Sequence, residues 1–213
     1  GQLDVLYNNA GLLFKGPIPA DKEQRKKEFI QIFETNVWGP VNLTEDVLPF
    51  MEKQNSGNII NMSSELGKIQ LASKELMERF MDEHLTIDKL KKLYHEYEHA
   101  YIEQTNEFEK AWKDDHTGYG AYPVSKMFLN AYTMLLARRM KKHDYNIKVN
   151  AVTPGWVRTR MGGDNAIRSV AQGAETPYWI GNFTTDRDDS LSGNFYRDKR
   201  IIQWSGIVKD ERI

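Results

Sequence analysis

The sequence contains no cysteine, which excludes disulfide bonds, thiolate nucleophiles and cysteine-ligated metal clusters from its chemistry. It has no apolar run of the roughly 18 residues that a membrane span needs, and no basic-then-apolar leader. Its 29 Lys and Arg residues balance 30 Asp and Glu residues, so no basic excess attracts nucleic acid or anionic lipid. These absences predict a cytoplasmic protein that binds neither nucleic acid nor membranes.

Apolar residues make up 40% of the 213 residues, which suits one domain over the whole chain, 1–213. Apolar runs that stop at turn-forming residues predict four strands, over residues 3–9, 58–64, 147–152 and 193–196. Helical spacing predicts helices over about 21–53, 119–143 and 176–183. Because strands and helices alternate, we expect an α/β fold with a doubly wound parallel sheet covered on both faces.

Two features modify this pattern. Pro40, in the middle of the first predicted helix, has no N–H for the preceding turn, so we expect the helix to bend or loosen there. Residues 67–117 are crowded with Glu, Lys, His and Tyr and predict a helical insertion. Within it, Thr86 is a predicted N-cap, and one helix face carries regularly spaced apolar and aromatic residues, namely Leu90, Tyr94, Tyr97 and Tyr101.

The ends of the predicted strands indicate where a ligand would bind. In an open parallel sheet, ligands lie beyond the carboxyl ends of the strands. Three of the four predicted strands end in small or polar residues, at 9–11, 63–64 and 153–155. We therefore expect the chemistry at that edge of the sheet.

Tyr122 and Lys126 are four residues apart and share one face of a predicted helix. A free phenol has a pKa of about 10 and is a poor proton donor at neutral pH. A nearby ammonium favours the phenolate, so we expect Lys126 to lower the pKa of Tyr122. Such a phenol can protonate a carbonyl oxygen while a hydride adds to the carbon. A Tyr and a Lys at this spacing, without other motifs, are more often an ordinary pair on the protein surface.

Five motifs, taken in order, resemble the short-chain dehydrogenase/reductase family, and the resemblance runs through almost the whole chain. The matching residues are Asn8-Asn9-Ala10-Gly11 at a strand end, Asn36 within a helix, Ser64 after a strand, the Tyr122/Lys126 pair, and the loop Pro154-Gly155-Trp156-Val157-Arg158-Thr159.

Within that family, the insertion between Ser64 and Tyr122 resembles the one in monomeric carbonyl reductases. Segments 155–159, 173–177 and 193–204 are similar to theirs as well. The resemblance implies NADP(H) as cofactor, a small-molecule carbonyl substrate, and a monomer, because the insertion would cover helices through which simpler members form tetramers. The choice of NADP(H) over NAD(H) rests on the resemblance alone. Reductases of terpenoid or alkaloid ketones share the insertion, so the substrate stays open.

The resemblance also implies roles for individual residues. Tyr122 would be the general acid or base, Lys126 would lower its pKa and hold ribose hydroxyls, and Ser64 would bond the substrate oxygen. Asn36 would support a water that relays protons to Lys126. The cofactor-binding residues would be Asn9, Ala10, Gly11, Tyr122, Lys126, Pro154, Gly155, Val157, Arg158 and Thr159. The substrate-binding residues would be Phe14, Ser64 and Trp156.

Each of these residues also has a purely structural interpretation. Ser64 could cap the segment that follows it, and Asn36 could be an ordinary polar helix residue. Arg158 could pair with a local carboxylate, and Trp156 could be a packing aromatic. The joint pattern, rather than any single residue, favours the functional interpretation.

His95-Glu96-Tyr97-Glu98-His99 matches the H-E-x-x-H pattern of zinc peptidases. Two imidazoles at i and i+4 could hold one Zn²⁺, with Glu96 as the base. No G-x-x-H follows, however, and such a pentamer arises easily in a segment this rich in Glu. We therefore expect no metal site, and zinc analysis of the purified protein would separate the two interpretations.

The sequence departs from the family pattern before Asn8. Only seven residues precede Asn8, without the Gly-rich turn that receives the pyrophosphate. By the size of a βαβαβ unit, roughly 80 residues including the first strands would be absent. The strand at 3–9 would then be an uncovered edge, and we expect this chain alone to bind NADPH weakly or not at all and to associate. An inert fragment is accordingly an alternative to an active reductase.

Overall fold

A five-stranded β-sheet organises the chain in this computed structural model, which describes residues 1–69, 72–105, 118–183 and 188–204. The strands lie in the order in which they occur along the chain. They are β1 (Val5–Asn8), β2 (Gly57–Met62), β3 (Ile147–Val152), β4 (Phe195–Arg197) and β5 (Arg200–Ile202). The first four run parallel and β5 is antiparallel to β4, which confirms the predicted α/β fold.

The helices lie between the strands. They are α1 (Lys22–Phe33), α2 (Gly39–Gln54), α3 (Lys74–Met81), α4 (Ile87–Glu103), α5 (Tyr122–Lys142) and α6 (Val170–Gly181). Within the described ranges, none of them is long and apolar enough to cross a membrane. Two consecutive residues of β2 pack in different hydrophobic clusters, one on each face of the sheet. Ile59 packs with α1 and α5, and Ile60 packs with α6. Helices therefore cover both faces of the sheet.

The parallel register sets the carboxyl ends of the first three strands side by side. Asn8 of β1 lies opposite Asn61 of β2, and Met62 at the end of β2 lies opposite Val152 at the end of β3. The three segments that leave these strands therefore emerge together at one edge of the sheet.

The first predicted helix is interrupted, as expected, but the irregularity begins before Gly39. Residues Glu34–Trp38 form a π-helical turn between α1 and α2. The N–H of Gly39 donates to the carbonyl of Glu34, a bond that spans five residues. Because Pro40 has no N–H to continue the regular ladder, the wider turn accommodates it.

Helices α3 and α4 lie in the predicted insertion, whose residues 70–71 and 106–117 lie outside the described part of the chain. The Thr86 hydroxyl accepts from the N–H of Lys89 at 3.2 Å, which confirms it as the N-cap of α4. The predicted face of α4 is buried and packs against α1. There the Phe29 ring lies 4.6 Å from Phe33 and 5.4–5.6 Å from three tyrosines of α4, Tyr94, Tyr97 and Tyr101.

Two predictions near the carboxyl end were wrong in detail. Helix α6 begins at Val170 rather than near 176, because Ser169 and Gln172 form a reciprocal capping box that starts it earlier. Strand β5 was not predicted. Its hairpin turn places Asp198 and Lys199 at φ of 51° and 59°, a backbone conformation that usually requires Asn or Gly.

The aromatic cluster between α1 and α4 gives a test of the packing. Phe29→Ala removes a fully buried ring, and we expect the free energy of unfolding to fall by about 3–5 kcal/mol. Urea unfolding followed by circular dichroism measures it. Phe50→Ala is the matched control, because that ring also lies on a helix but is 66% exposed, and we expect a change within about 0.5 kcal/mol. Equal losses in both variants would contradict the packing described.

Candidate active site

A cavity of about 960 Å³ opens at the carboxyl edge of the sheet. Its wall is built from the segments that follow β1, β2 and β3 and from the first turns of α5 and α6. Most of the residues predicted to act together line it, namely Asn9, Ala10, Gly11, Ser64, Tyr122, Lys126, Pro154, Gly155, Trp156, Val157 and Thr159. The parallel register and the placement of α5 thus bring together residues that are up to 150 positions apart (Asn9 to Thr159).

Ser64 both caps a turn and faces Tyr122. It precedes the short 3₁₀ helix Glu65–Gly67, and its hydroxyl accepts from the N–H of Leu66 at 3.2 Å. The same hydroxyl hydrogen-bonds the phenol of Tyr122, the first residue of α5. Ser64 is therefore a cap, as its structural interpretation predicts, and it also lies in the cavity wall.

Lys126 is 3% exposed, and its ammonium donates to the carbonyl of Met62, at the end of β2, at 2.8 Å. Burial lowers the pKa of Lys126 to about 8, because charge is disfavoured away from water. The ammonium lies 5.6 Å from the centre of the Tyr122 ring. The spacing of four residues does place both groups on one helix face, as the sequence predicts.

The expected effect of Lys126 on the Tyr122 pKa is wrong for this structure. Burial raises the pKa of Tyr122 above its ordinary value, and only the Ser64 hydrogen bond opposes that rise. The ammonium is hydrogen-bonded to a backbone carbonyl and lies beside the ring. Desolvation of the phenolate therefore outweighs the Ser64 hydrogen bond and sets the direction of the shift.

Asn36 lies in the π-helical turn and is fully buried. Its side-chain oxygen accepts from the N–H of Leu12 at 2.7 Å, and its amide nitrogen donates to the Leu12 carbonyl at 2.9 Å. The amide nitrogen also donates to the Ser125 hydroxyl at 3.0 Å. Asn36 is thus more than an ordinary polar helix residue, because it joins the segment after β1 to helix α5.

A buried polar network below the cavity was missed by the sequence analysis. The Asn8 amide donates to the side-chain oxygens of Asn61 at 2.8 Å and Thr44 at 2.9 Å. The Asn61 amide in turn donates to the Thr133 hydroxyl at 2.8 Å. Two buried asparagines in β2, Asn58 and Asn61, are the available signal, because a buried amide requires partners.

Besides the buried Asn36, two predicted site residues are not brought to the cavity wall. Phe14 packs against the main core, while its neighbours Leu13 and Lys15 line the cavity, the alternation expected of an extended segment. Arg158 is exposed, and its backbone N–H donates to the Arg168 carbonyl at 2.9 Å. Trp156 is in the wall but 51% exposed, with its indole N–H on the Gly162 carbonyl at 2.8 Å.

The H-E-x-x-H segment lies on α4, away from the cavity. His95 contacts Glu98 at 3.1 Å, and Glu96 forms an ion pair with Arg79 at 2.7 Å. Across the described ranges, no three His, Cys, Asp or Glu side chains come together as a metal site. The geometry of this segment gives the peptidase alternative no support.

Comparison with known proteins identifies the family of this chain. The family model described as short chain dehydrogenase matches residues 1–76, and one described as enoyl-(acyl carrier protein) reductase matches residues 111–188. Carbonyl reductase [NADPH] 1 of Bos taurus is 32% identical, with 96% of this chain and 71% of that protein aligned. Carbonyl reductase [NADPH] 3 of Rattus norvegicus is 33% identical, with the same coverage. The chain belongs to the short-chain dehydrogenase/reductase family.

Solved structures show the same likeness. Salutaridine reductase from Papaver somniferum superposes with a TM-score of 0.75 at 26% identity, covering 92% of this chain and 73% of that one. An NADPH-bound carbonyl reductase from chicken fatty liver gives a TM-score of 0.63 at 22% identity, with 96% and 67% covered. The second of these shows the fold alone.

The lowered pKa of Lys126 is open to direct measurement. We expect the ε-methylene resonance of ¹³C-labelled Lys126, assigned with Lys126→Met, to titrate near pH 8 rather than near the ordinary value of 10.5. Unfolding then takes up a proton between pH 8 and pH 10.5, so the free energy of unfolding rises with pH there. Urea unfolding of wild type should show that rise relative to Lys126→Met. A parallel pH dependence in both proteins would refute it.

Proposed function

We propose that this protein is an NADPH-dependent carbonyl reductase, which transfers a hydride to a ketone, aldehyde or quinone, or runs the reverse reaction with an alcohol. The observation that carries the proposal is the convergence of Ser64, Tyr122 and Lys126 in one cavity at the carboxyl edge of the sheet. The relatives named carbonyl reductase [NADPH] support the cofactor and the substrate class.

The cavity suits a dinucleotide in size and chemistry. Ligand sites have volumes of roughly 300–1,000 Å³, and this one is about 960 Å³. Residues 9–11 would hold the cofactor on one side and Pro154, Gly155, Val157 and Thr159 on the other, with the Lys126 ammonium as donor to ribose hydroxyls. Arg158 does not line the cavity and would act only by holding the loop, through its N–H on the Arg168 carbonyl. Bound there, NADPH supplies the hydride.

Tyr122 would give its proton to the substrate oxygen as negative charge develops there. Because burial raises its pKa, the phenol is neutral at neutral pH, which is the form that a proton donor needs. Ser64 accepts from the N–H of Leu66, so its own proton can be donated to the same substrate oxygen. Two donors would then converge on the atom where charge forms.

Lys126 would assist through charge rather than through contact with the phenol. With a pKa of about 8, it remains largely protonated at neutral pH, and its charge acts across a water-poor interior. Asn36 holds Leu12 and Ser125, the second of which precedes Lys126. Its side-chain oxygen keeps a second lone pair, to which a relay water near Lys126 would donate.

The apolar part of the cavity wall indicates the kind of carbonyl compound that fits. Leu13, Leu66, Trp156, Met161 and Val170 line the cavity. This surface is apolar and includes one exposed indole, which favours flat or aromatic substrates that bury area against it. Phe14 has no part in this wall.

The phenol carries the sharpest test. Tyr122→Phe should lower turnover of quinones and aromatic ketones by roughly 10²–10⁴-fold, the usual contribution of general acid catalysis, as followed by loss of NADPH absorbance. NADPH binding, measured by fluorescence, should change little. Tyr132→Phe is the matched control, because it lies on the same helix and its hydroxyl bonds Glu45 instead. Full turnover by Tyr122→Phe would overturn the proposal.

Ser64→Ala tests the second donor. We expect kcat to fall by roughly 10²–10³-fold, as when one oxyanion donor is lost. Because Ser64 also caps a helical turn, Ser73→Ala serves as the control. That serine caps α3 through the N–H of Leu76 at 3.3 Å, so its loss should cost about 1 kcal/mol of stability without lowering kcat. Similar kcat losses in both variants would assign the effect of Ser64 to capping.

A further inference from the structure

Arg168 and Asp198 form a two-point ion pair at the outer end of the sheet. Nη1 and Nη2 of Arg168 donate to the two carboxylate oxygens of Asp198 at 2.5 and 2.8 Å. Asp198 occupies the turn between β4 and β5, and Arg168 ends residues 154–168, which we term the 154–168 loop. The pair therefore links the hairpin to this loop with a geometry that a single charge contact does not provide.

Arg168 also lies directly under the cofactor side of the proposed site. A Cβ added to Gly155 would lie 2.7 Å from Arg168 Nε, and Gly155 has a φ of +75°, so a side chain is excluded there. The N–H of Arg168 donates to the Trp156 carbonyl at 3.1 Å, and its carbonyl accepts from the N–H of Arg158 at 2.9 Å. Arg168, the last residue of the 154–168 loop, thus contacts earlier residues of that loop through both its side chain and its backbone.

The hairpin reaches the substrate side of the site through a second arginine. Arg197 Nη1 donates to Glu65 at 2.6 Å, and Glu65 directly follows Ser64 and also pairs with Lys68 at 3.2 Å. Arg197 Nε lies 3.4 Å from Asp198 Oδ2, at ion-pair distance without hydrogen-bond geometry. A continuous chain of charges therefore runs from the Ser64 segment through the hairpin to Arg168.

The β4–β5 hairpin, which carries both Arg197 and Asp198, is itself held in place. Strand β4 pairs with β3, and the N–H of Lys199 donates to the Thr176 hydroxyl of α6 at 3.2 Å. The turn that carries Asp198 is therefore fixed. If the 154–168 loop moved relative to Ser64, the Arg168–Asp198 ion pair would have to break.

We propose that Asp198 is a positioning residue that holds Arg168 under Gly155 and so fixes the 154–168 loop relative to Ser64. This inference rests on the proposed function, in which the loop holds the cofactor and Ser64 the substrate oxygen. Neither Arg168 nor Asp198 lines the cavity. The Asp198 side chain is 49% exposed, and exposed ion pairs contribute about 0–1 kcal/mol to folding, so its removal should alter the geometry of the loop more than the stability of the fold.

Asp198→Asn tests this. It keeps the shape of the side chain and removes its charge. We expect kcat to fall about tenfold, which is less than the roughly 100-fold loss that a 1 Å misplacement of the reacting groups can cause. The midpoint of thermal unfolding should stay nearly constant. Asp198→Glu should recover most of kcat, because a carboxylate can again accept from both nitrogens. Asp189→Asn is the matched control, since Asp189 forms a single exposed pair with Lys141 at 3.4 Å, and its kcat should equal that of wild type.

Hydrogen–deuterium exchange separates this inference from the proposed function. Faster exchange in residues 154–163 of Asp198→Asn, together with the fall in kcat, supports it. Three results would overturn it. These are unchanged exchange in Asp198→Asn, a normal kcat despite faster exchange, and an equal fall in kcat in Asp189→Asn. If wild type turns over no carbonyl compound, the proposed function fails, and exchange in the loop alone then decides whether Asp198 positions it.

Discussion

The site depends on the close approach of helix α5 to the turn that follows β2. A Cβ added to Gly67 would lie 2.5 Å from the Cβ of Lys126, so the two segments pack at this distance only because Gly67 has no side chain. The Asn130 amide strengthens the contact by donating to the Gly67 carbonyl at 2.8 Å. This contact sets Ser64 against Tyr122 and brings Lys126 to the end of β2.

Burial at that contact determines the charge state of the site. Desolvation raises the pKa of Tyr122 and lowers that of Lys126, so the same cause acts on both groups by disfavouring charge. The result is a neutral phenol beside an ammonium that is still largely protonated at neutral pH. A proton donor and a cation can thus share a helix face without the ion pair that their spacing alone suggests.

Different forces hold the two sides of the molecule. Apolar and aromatic packing joins α1, α4 and α5, and the polar network from Asn8 to Thr133 ties the strand ends to the helices beneath them. The 154–168 loop has little apolar packing and is held by backbone bonds and by the Arg168–Asp198 pair. Backbone hydrogen bonds and one ion pair therefore hold the loop, while apolar packing holds the scaffold.

The sequence by itself determined the first four strands, most of the helices and the side of the sheet where Ser64, Tyr122 and Lys126 meet, because periodicity and turn residues are local signals. It did not determine the pKa of Tyr122, the exclusion of Phe14 from the cavity, or the chain of charges through Asp198. Those depend on burial, on the direction of a side chain and on contacts between distant segments. Only the tertiary structure decided them, because desolvation and long-range pairing arise when the chain is packed.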